Sequence, residues 1–390
     1  MSASRLREHR SGTPQPAGQG AQLASLPYVR EIAAYAPGKP IEELARELGL
    51  EANSIIKLAS NENPLGAPEC ARRAMQAAID EVGRYPDGNA FALRSALAER
   101  LNVPLEWVTV GSGSNDILEM AAAAMLAPGR SCVFSQYSFA VYALATQARG
   151  AHGIVVPAQH YGHDLAQMSR SVRADTRLIY VANPNNPTGT FAEGHALESF
   201  LETIPSEVLV VIDEAYNEYL PPESCYDAIS WVRRFPNLLV SRTFSKAYGL
   251  AGLRVGYGVA QEDLSGLLNR VRMPFNVSTL AQAAACAALS DKEFLARSYE
   301  LNRRGLHELQ SRLQAMGLET VQSFANFVLF RVGPAARVYR ELLARGVIVR
   351  PVGSYDLPEW LRVTVGLPQE NERFLQALPV ALEAARAAVA

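Results

Sequence analysis

The chain has few cysteines and few histidines, and neither residue type is spaced for a metal site. Its 390 residues include four cysteines without C-x-x-C spacing and six histidines without an H-E-x-x-H pattern. Because metal-binding motifs place such ligands at short, regular intervals, we expect no bound metal. Scattered cysteines of this kind are typical of reduced thiols, which favours a cytoplasmic location.

Excess charge and long apolar runs are absent as well. The formal net charge of −2 lacks the basic excess of a nucleic-acid-binding protein and the acidic excess of a solvated tail. No apolar run approaches the roughly 20 residues of a membrane-spanning helix. Residues 1–22 are polar and lack the apolar segment of a signal peptide, so we expect a flexible extension over residues 1–27.

Short apolar runs that alternate with helical patterns dominate the first two thirds of the chain. The predicted strands are residues 105–110, 131–134, 153–156, 178–182, 208–212 and 238–240, and the predicted helices among them include residues 115–126, 140–148 and 194–203. Continuous apolar strands that alternate with helices indicate an α/β fold, with a mainly parallel sheet flanked by helices. Ligands of such sheets bind at the carboxyl ends of the strands.

The pattern changes near residue 262. Helices are predicted at residues 281–289, 293–314 and 371–388, with strands at 327–332, 347–350 and 360–365. This predicts a smaller α+β domain, as a chain of this length also suggests. We expect an N-terminal arm at 28–55 that packs against the small domain or a dimer partner, a large domain at 56–275 and a small domain at 276–390.

Residues 241–256 carry the most specific signal. They read Ser-Arg-Thr-Phe-Ser-Lys-Ala-Tyr-Gly-Leu-Ala-Gly-Leu-Arg-Val-Gly and place Lys246 among hydroxyls and glycines. Desolvation lowers the pKa of a lysine, whose neutral amine can then form a Schiff base. Thr243, Ser245 and Arg254 are suited to binding a phosphate beside it. The stretch predicts a covalent site for pyridoxal phosphate, and the alternative is an ordinary turn with an exposed lysine.

Two further motifs follow predicted strands. Gly-Ser-Gly-Ser-Asn-Asp at residues 111–116 opens a helix, whose N–H groups favour an anion, although the third glycine of a dinucleotide fingerprint is missing. Asn-Pro-Asn-Asn-Pro-Thr-Gly at residues 183–189 forms a rigid loop. Its asparagines either face a ligand or cap their own backbone.

Asp213 follows the strand predicted at residues 208–212 and begins the motif Asp-Glu-Ala-Tyr. A carboxylate at the end of a buried strand is costly unless it faces a cation, such as a protonated pyridine nitrogen. Tyr216, three residues later, is then placed to donate to a phenolate oxygen. The alternative is that Asp213 caps the N-terminus of a helix.

From about Tyr28 onward, the chain resembles the fold-type I pyridoxal-phosphate aminotransferases and, within them, the histidinol-phosphate aminotransferases. The resemblance rests on Tyr-Ala-Pro-Gly-Lys-Pro (35–40), Leu-Ala-Ser-Asn-Glu-Asn-Pro-Leu-Gly (58–66), Arg-Tyr-Pro-Asp-Gly (84–88), Asn-Asn-Pro-Thr-Gly (185–189), Asp-Glu-Ala-Tyr (213–216), the stretch 244–256, Ala-Asn-Phe (325–327) and Leu-Arg-Val-Thr-Val-Gly (361–366). It implies transamination of L-histidinol phosphate with 2-oxoglutarate in histidine biosynthesis.

The resemblance also implies a role for each matching residue. Lys246 would bind the cofactor covalently, Asp213 would pair with its ring nitrogen, and Asn186 and Tyr216 would hydrogen-bond its phenolate oxygen. The phosphate would contact Ser114, Asn115, Thr243, Ser245 and Arg254, together with Tyr85 of a neighbouring subunit in a homodimer. Tyr137 would stack on the ring, with Phe139 as the second choice. The substrate would contact Tyr35, Glu62, Asn326, Arg350 and Arg362.

Alternatives remain at the level of the reaction. The same cofactor residues serve aromatic amino-acid aminotransferases, and they serve lyases such as threonine-phosphate decarboxylases. A non-catalytic regulator is a third class, but the segment before Tyr28 is short for a DNA-binding domain. The substrate choice depends on the late arginines, and Arg350 is also suited to an ordinary surface salt bridge.

Overall fold

The computed structural model describes residues 24–34 and 38–387 of the chain. The extension expected at residues 1–27 lies almost entirely outside these ranges, and Tyr35 lies outside them as well. Within them, no helix is long and apolar enough to cross a membrane.

The strands are β1 (Ile56–Lys57), β2 (Val108–Gly111), β3 (Ser131–Ser135), β4 (His152–Val156), β5 (Thr176–Ala182), β6 (Leu209–Asp213), β7 (Leu238–Thr243), β8 (Gly256–Val259), β9 (Phe327–Arg331), β10 (Val347–Ile348), β11 (Arg350–Pro351) and β12 (Trp360–Thr364). The helices are α1 (Pro27–Arg30), α2 (Ile41–Leu48), α3 (Glu69–Ala78), α4 (Phe91–Leu101), α5 (Ser114–Met125), α6 (Ala140–Ala148), α7 (Leu165–Arg170), α8 (Gly194–Thr203), α9 (Ala228–Trp231), α10 (Glu262–Val271), α11 (Thr279–Ser290), α12 (Lys292–Ala315), α13 (Ala335–Leu343) and α14 (Pro368–Ala387).

Seven strands form the main sheet in the order β2-β8-β7-β6-β5-β3-β4. Strands β3 to β7 pair in parallel, while β8 runs antiparallel to both β7 and β2. The predicted mainly parallel sheet is therefore confirmed. Because all strands but β8 point the same way, the carboxyl ends of β2, β3, β5, β6 and β7 meet at one edge of the sheet.

Both faces of this sheet are buried, which explains the continuous apolar runs in the sequence. Successive residues of a strand point to opposite faces. Accordingly Ile179 and Val210 belong to one hydrophobic cluster, whereas Leu178 and Leu209 belong to another on the opposite face. Burying each such side chain stabilises the fold by roughly 1.5–3 kcal/mol. The rigid sheet fixes the strand ends that carry the polar motifs.

A second core surrounds the smaller sheet, in which β12 lies between β11 and β9. Helices α12, α13 and α14 contribute to this core, and β1 pairs with β10 beside it. Helix α11 packs instead against α3 and contributes Ala281, Ala284 and Ala288 to the first core. Packing therefore places residues 279–290 with the large sheet, although the predicted border at 276 assigned them to the small domain.

Candidate active site

One cavity opens where the strand ends of the main sheet meet the smaller sheet. The predicted site residues that line it are Ser114, Asn115, Asn186, Asp213, Tyr216, Thr243, Ser245, Lys246, Arg254, Arg350 and Arg362. These residues are distant in the sequence and come from both sheets. The fold brings them together because the motifs follow parallel strands.

Lys246 projects into the cavity from the loop between β7 and β8. The loop is closed by backbone hydrogen bonds from Phe244 to Val255 and from Leu250 to Phe244. Phe244, Ala247 and Tyr248 are buried in the hydrophobic clusters below it. Since these neighbours point inward, the backbone holds the lysine side chain toward the cavity.

The Lys246 amine has few charged contacts. Its Nζ donates to the backbone oxygen of Ser60 at 3.1 Å and lies 5.8 Å from the centre of the Tyr216 ring. Desolvation, with a contribution from the Arg362 charge, lowers the pKa of Lys246 from 10.5 to about 7. Near neutral pH a large fraction of this amine is therefore unprotonated, as a nucleophile or a general base requires.

Asp213 ends β6 on the floor of the cavity and is 5% exposed. Its Oδ2 accepts a hydrogen bond from the Tyr142 hydroxyl at 2.8 Å, whereas its Oδ1 has no hydrogen-bond partner among the described residues. Burial raises the pKa of Asp213 from 3.8 to about 6, although the Tyr142 hydrogen bond lowers it. The next helical turn begins only at Asn217, so Asp213 does not cap a helix.

Replacing Tyr142 by phenylalanine tests this hydrogen bond. A hydrogen bond to a charged group contributes about 1.5–3 kcal/mol, which corresponds to about 1–2 pKa units. We expect Tyr142→Phe to raise the pKa of Asp213 by that amount, because the charged form loses a donor. The acid limb of the kcat/KM profile then moves to higher pH. The carboxyl infrared band of the cofactor-free protein reports the same titration.

Tyr180→Phe is the matched control for this experiment. Its ring stacks on Tyr142 with centroids 4.5 Å apart, but its hydroxyl donates to the backbone oxygen of Leu118. A shift of the same size in both variants would contradict the direct role of the Tyr142 hydroxyl.

Asn186 follows β5 and Tyr216 follows β6, and both line the cavity together with Asp213. Arg362 donates to Asn186 Oδ1 and, at 3.0 Å, to the backbone oxygen of Ala59. The Asn186 amide nitrogen is then available to a ligand. Asn183 and Asn185, in contrast, bond to Ala192 and to Tyr137 and Thr188. Asn183 and Asn185 therefore support the loop and its surroundings, whereas Asn186 lines the cavity, where a ligand would contact it.

The start of α5 forms an anion-binding cradle. Its N-cap Gly113 has φ 79° and offers no side-chain cap, which leaves the first N–H groups of the helix to other partners, and Ser114 and Asn115 at this helix start line the cavity. A Cβ atom at Gly113 would collide with the Arg254 guanidinium, which donates to Ser245 Oγ at 3.2 Å. The helix start, a hydroxyl and a guanidinium thus converge, as phosphate binding requires.

These groups fit the cofactor that the sequence predicts. The buried, unpartnered Asp213 Oδ1 suits a protonated ring nitrogen, and the cradle at Gly113 suits a phosphate. The Lys246 amine lies in the same cavity and is suited to an aldehyde. Among the described residues, by contrast, no cluster of His, Cys, Asp and Glu is suited to a metal ion.

The choice of Tyr137 for stacking is not supported by its position. Phe139 lines the cavity, whereas Tyr137 packs toward Tyr161 at a centroid distance of 6.0 Å. Tyr137 has φ 55°, and its backbone oxygen accepts from Asn185, which turns its ring into the neighbouring cluster with Trp360. The structure therefore favours Phe139, the second choice from the sequence.

Three other predicted residues lie outside the cavity lining. Asn326 is 2% exposed and donates to the backbone oxygen of Asn61, so its amide nitrogen supports the wall behind the cavity lining. Glu62 is exposed and pairs with Lys57 at 3.2 Å. Tyr85 is 82% exposed and stacks on Phe275, away from this chain's own cavity.

The two late arginines come from neighbouring strands of the smaller sheet. Arg350 on β11 is directly opposite Arg362 on β12 in antiparallel register, and both line the cavity. Arg362 is 6% exposed, and its guanidinium lies 5.0 Å from the centre of the Phe327 ring. Two guanidinium groups on one wall make this side of the cavity suited to an anionic substrate.

Tyr142 and Asn61 contact site residues, although no sequence motif singles them out for that role. Tyr142 lies within an apolar helical pattern, three residues after Phe139. Nothing in that pattern marks its hydroxyl as a hydrogen-bond donor to Asp213. Asn61 lies inside a motif used for the resemblance, but its bond to Tyr216 at 2.8 Å spans 155 residues of sequence. Neither contact has a local signal.

Comparison with known proteins gives consistent results. A family model described as aminotransferase class I and II matches residues 53–378. Histidinol-phosphate aminotransferase 1 of Cupriavidus pinatubonensis is 60% identical over 375 residues, covering 94% of this chain and 100% of the relative. Histidinol-phosphate aminotransferase 2 of Ralstonia nicotianae is 61% identical over 365 residues, covering 93% and 98%.

Solved structures agree in fold. A histidinol-phosphate aminotransferase of Sinorhizobium meliloti in complex with pyridoxal-5'-phosphate superposes with a TM-score of 0.86 at 26% identity, covering 93% of this chain and 99% of the other. An L-threonine-O-3-phosphate decarboxylase of Porphyromonas gingivalis has a TM-score of 0.75 at 23% identity, covering 84% and 100%. At that identity the second likeness concerns the fold alone.

Proposed function

Because this chain belongs to the class I and II aminotransferases and, within them, to the histidinol-phosphate aminotransferase family, we propose that it transaminates L-histidinol phosphate with 2-oxoglutarate. The products are imidazole-acetol phosphate and L-glutamate, and the reaction belongs to histidine biosynthesis. The observation that carries the proposal is a lysine with a pKa lowered to about 7 in a cavity that also holds Asp213 and two arginines.

Pyridoxal phosphate supplies an aldehyde for the amino group and a ring that accepts electrons when it is bound. Lys246 would hold it covalently, and the cradle of Ser114, Asn115, Ser245 and Arg254 would hold its phosphate, with Thr243 beside them. Phe139 would cover the ring. These contacts orient the cofactor before substrate enters.

The protein then moves one proton. With its amine free, Lys246 would be the general base that takes the Cα proton of the donor and delivers it to the cofactor within the same half-reaction. The ionised Asp213 would keep the ring nitrogen protonated, while Asn186 and Tyr216 would donate to the phenolate oxygen. With 2-oxoglutarate in the place of the first substrate, Lys246 would move a proton in the opposite direction.

We assign the choice of substrate to the wall of the cavity that carries Arg350 and Arg362. Arg350 and Arg362 would bind the phosphate of histidinol phosphate and the carboxylates of 2-oxoglutarate and glutamate in turn, because both substrates are anions. Glu62, next in the chain to the lining residue Asn61, and Tyr35, outside the described residues, remain candidates for substrate contact. Asn326 would act only by supporting the wall.

We also propose that the protein is a cytoplasmic homodimer with shared active sites. Tyr85 carries this inference, because a largely exposed tyrosine that stacks on Phe275 is placed to reach a second subunit. Its hydroxyl would contact the cofactor phosphate of that subunit.

The reaction is tested by supplying 2-oxoglutarate with one amine at a time and measuring L-glutamate. We expect turnover of L-histidinol phosphate with a kcat/KM well above that of L-phenylalanine. Preferred turnover of phenylalanine would identify an aromatic aminotransferase. Carbon dioxide released from L-threonine O-phosphate without glutamate would identify a lyase.

Arg350→Gln tests the substrate assignment. Losing a hydrogen-bonded charge contact costs about 1.5–3 kcal/mol, so kcat/KM for histidinol phosphate should fall about 10- to 100-fold. The value for L-histidinol, which has neither the phosphate nor a carboxylate, should change far less. Arg331→Gln is the control, because Arg331 lies on the same sheet and pairs with Glu359 at the surface. Equal losses for both amines would contradict a phosphate contact.

A further inference from the structure

A buried hydrogen-bond network surrounds Asn61, between the smaller sheet and the cavity. Asn61 is 1% exposed and has φ 56°, a conformation that asparagine tolerates better than most residues. Its backbone N–H donates to Thr364 Oγ1 at 3.0 Å, and its backbone oxygen accepts from the Asn326 amide at 3.0 Å. Both partners belong to the smaller sheet or directly precede it.

The side chain of Asn61 extends the network to Tyr216. Thr364 Oγ1 accepts from the Asn61 backbone and donates its single proton to Asn61 Oδ1 at 3.1 Å. This bond fixes the orientation of the amide, so Nδ2 faces the Tyr216 hydroxyl and donates to it at 2.8 Å. The phenol oxygen is an acceptor in this contact, and its own proton must point elsewhere.

The direction left for that proton is the cavity. Tyr216 is 3% exposed, and its ring is held edge-on by Phe327 with centroids 5.5 Å apart. We propose that Asn61 is a positioning residue that holds the Tyr216 hydroxyl so that its proton points at the bound ligand. Asn61 also connects this hydroxyl to the smaller sheet. The inference rests on the proposed function, in which Tyr216 donates to the cofactor.

The electrostatic surroundings agree with this geometry. Burial raises the pKa of Tyr216 to about 12, while the nearby Arg362 charge and the Asn61 hydrogen bond lower it. The hydroxyl therefore keeps its proton at neutral pH and remains a donor. Other titratable groups close to Tyr216 are Asp213, Tyr355, Lys246, Tyr142 and Tyr219, and the variants below leave all of them in place.

Asn61→Gly is the sharpest test, because glycine accepts the positive φ and removes only the side chain. The readout is the pH midpoint of the absorbance change of the cofactor-loaded enzyme, which reports how well the phenolate oxygen is stabilised. A net hydrogen bond of ordinary strength corresponds to about a three- to tenfold change, or roughly 0.5–1 pH unit. We expect the midpoint to rise and kcat to fall by that factor.

The same substitution in a Tyr216→Phe background separates positioning from a general structural effect. If Asn61 acts through the Tyr216 hydroxyl, Asn61→Gly should change neither the midpoint nor kcat further in that background. Equal effects in both backgrounds, or no effect in either, would overturn the inference. An unchanged midpoint in Tyr216→Phe alone would instead contradict the proposed role of Tyr216.

Thr364→Val provides a second route to the same result. It removes the hydroxyl that orients the Asn61 amide, but it leaves Asn61 in place and preserves the side-chain volume closely. We expect a midpoint shift in the same direction that is again lost in the Tyr216→Phe background. Should Asn61→Gly fail to fold, this variant decides: a shift that persists without the Tyr216 hydroxyl would overturn the inference.

Discussion

Lys246→Ala should lower kcat by at least about 10⁴-fold, because one side chain is both the covalent anchor and the general base. General base catalysis by a positioned group alone contributes roughly 10²–10⁴-fold. Within residues 24–34 and 38–387, no other lysine lines the cavity. The variant should also lose the absorbance of the lysine-bound cofactor, and borohydride reduction should leave residues 241–256 without a cofactor adduct in peptide mass spectra.

The contrast with a surface lysine makes this result specific. Lys292 begins α12 and is exposed, and Lys292→Ala should keep both the reducible adduct and the activity. An adduct that survives in Lys246→Ala would place the covalent lysine elsewhere in the chain. The lowered pKa of Lys246 gives a second expectation: the cofactor-free protein should form its lysine adduct faster as the pH increases through about 7 and the free amine loses its proton.

Much of the fold is predictable because the strands of a parallel sheet are apolar on both faces. Runs such as residues 208–212 and 178–182 need no knowledge of their partners to be recognised. Helices α6 and α8 were predicted with the bounds that the structure shows, since their apolar periodicity is local. The motifs that follow these strands can be located as well as the strands themselves. The sequence therefore predicts that Lys246, Asp213 and Asn186 share one site.

Strand β8 was missed for a physical reason. Two of its four residues are glycines, which weakens the apolar signal of a strand. A Cβ atom at Gly256 would clash with the backbone of Ser114, and one at Gly258 would crowd Ile117. The glycines are there because α5 packs closely against the sheet, and this requirement appears only in three dimensions.

Two places where packing departs from the predictions have the same origin. Tyr137 and Phe139 are two residues apart in the sequence, and a positive φ at Tyr137 decides which ring reaches the cavity. Helix α11 follows the predicted border at 276, but its alanines pack on α3. Contacts between distant segments determine both outcomes, and residue patterns along the chain do not contain them.

Asp213→Asn should reduce activity and at the same time stabilise the cofactor-free protein. The substitution removes the negative charge that keeps the ring nitrogen protonated. Breaking a buried charge pair costs about 3–5 kcal/mol, so kcat/KM should fall by about 10²–10⁴-fold. Asparagine retains an oxygen that accepts from Tyr142, which leaves the local packing unchanged.

The stability effect follows from the raised pKa of Asp213. Between pH 3.8 and about 6 the folded protein binds more protons at this site than the unfolded chain, so the free energy of unfolding falls as the pH rises. Above about pH 6 the full penalty applies, and two pKa units correspond to about 3 kcal/mol. The cofactor-free Asp213→Asn variant should therefore unfold at higher denaturant concentration at pH 7.5, and the gain should vanish below pH 4.

A substitution that lowers activity but raises stability distinguishes a functional carboxylate from a structural one. Replacing a buried aspartate that only supported the fold would destabilise the protein, because the hydrogen bond or ion pair of that aspartate would weaken. Asp263→Asn, at an exposed position of α10, should change neither quantity appreciably. If Asp213→Asn proved less stable than the parent at pH 7.5, its unpartnered Oδ1 would have a partner in solution. Asp213 would then lack the uncompensated negative charge that we expect to pair with the ring nitrogen of the cofactor.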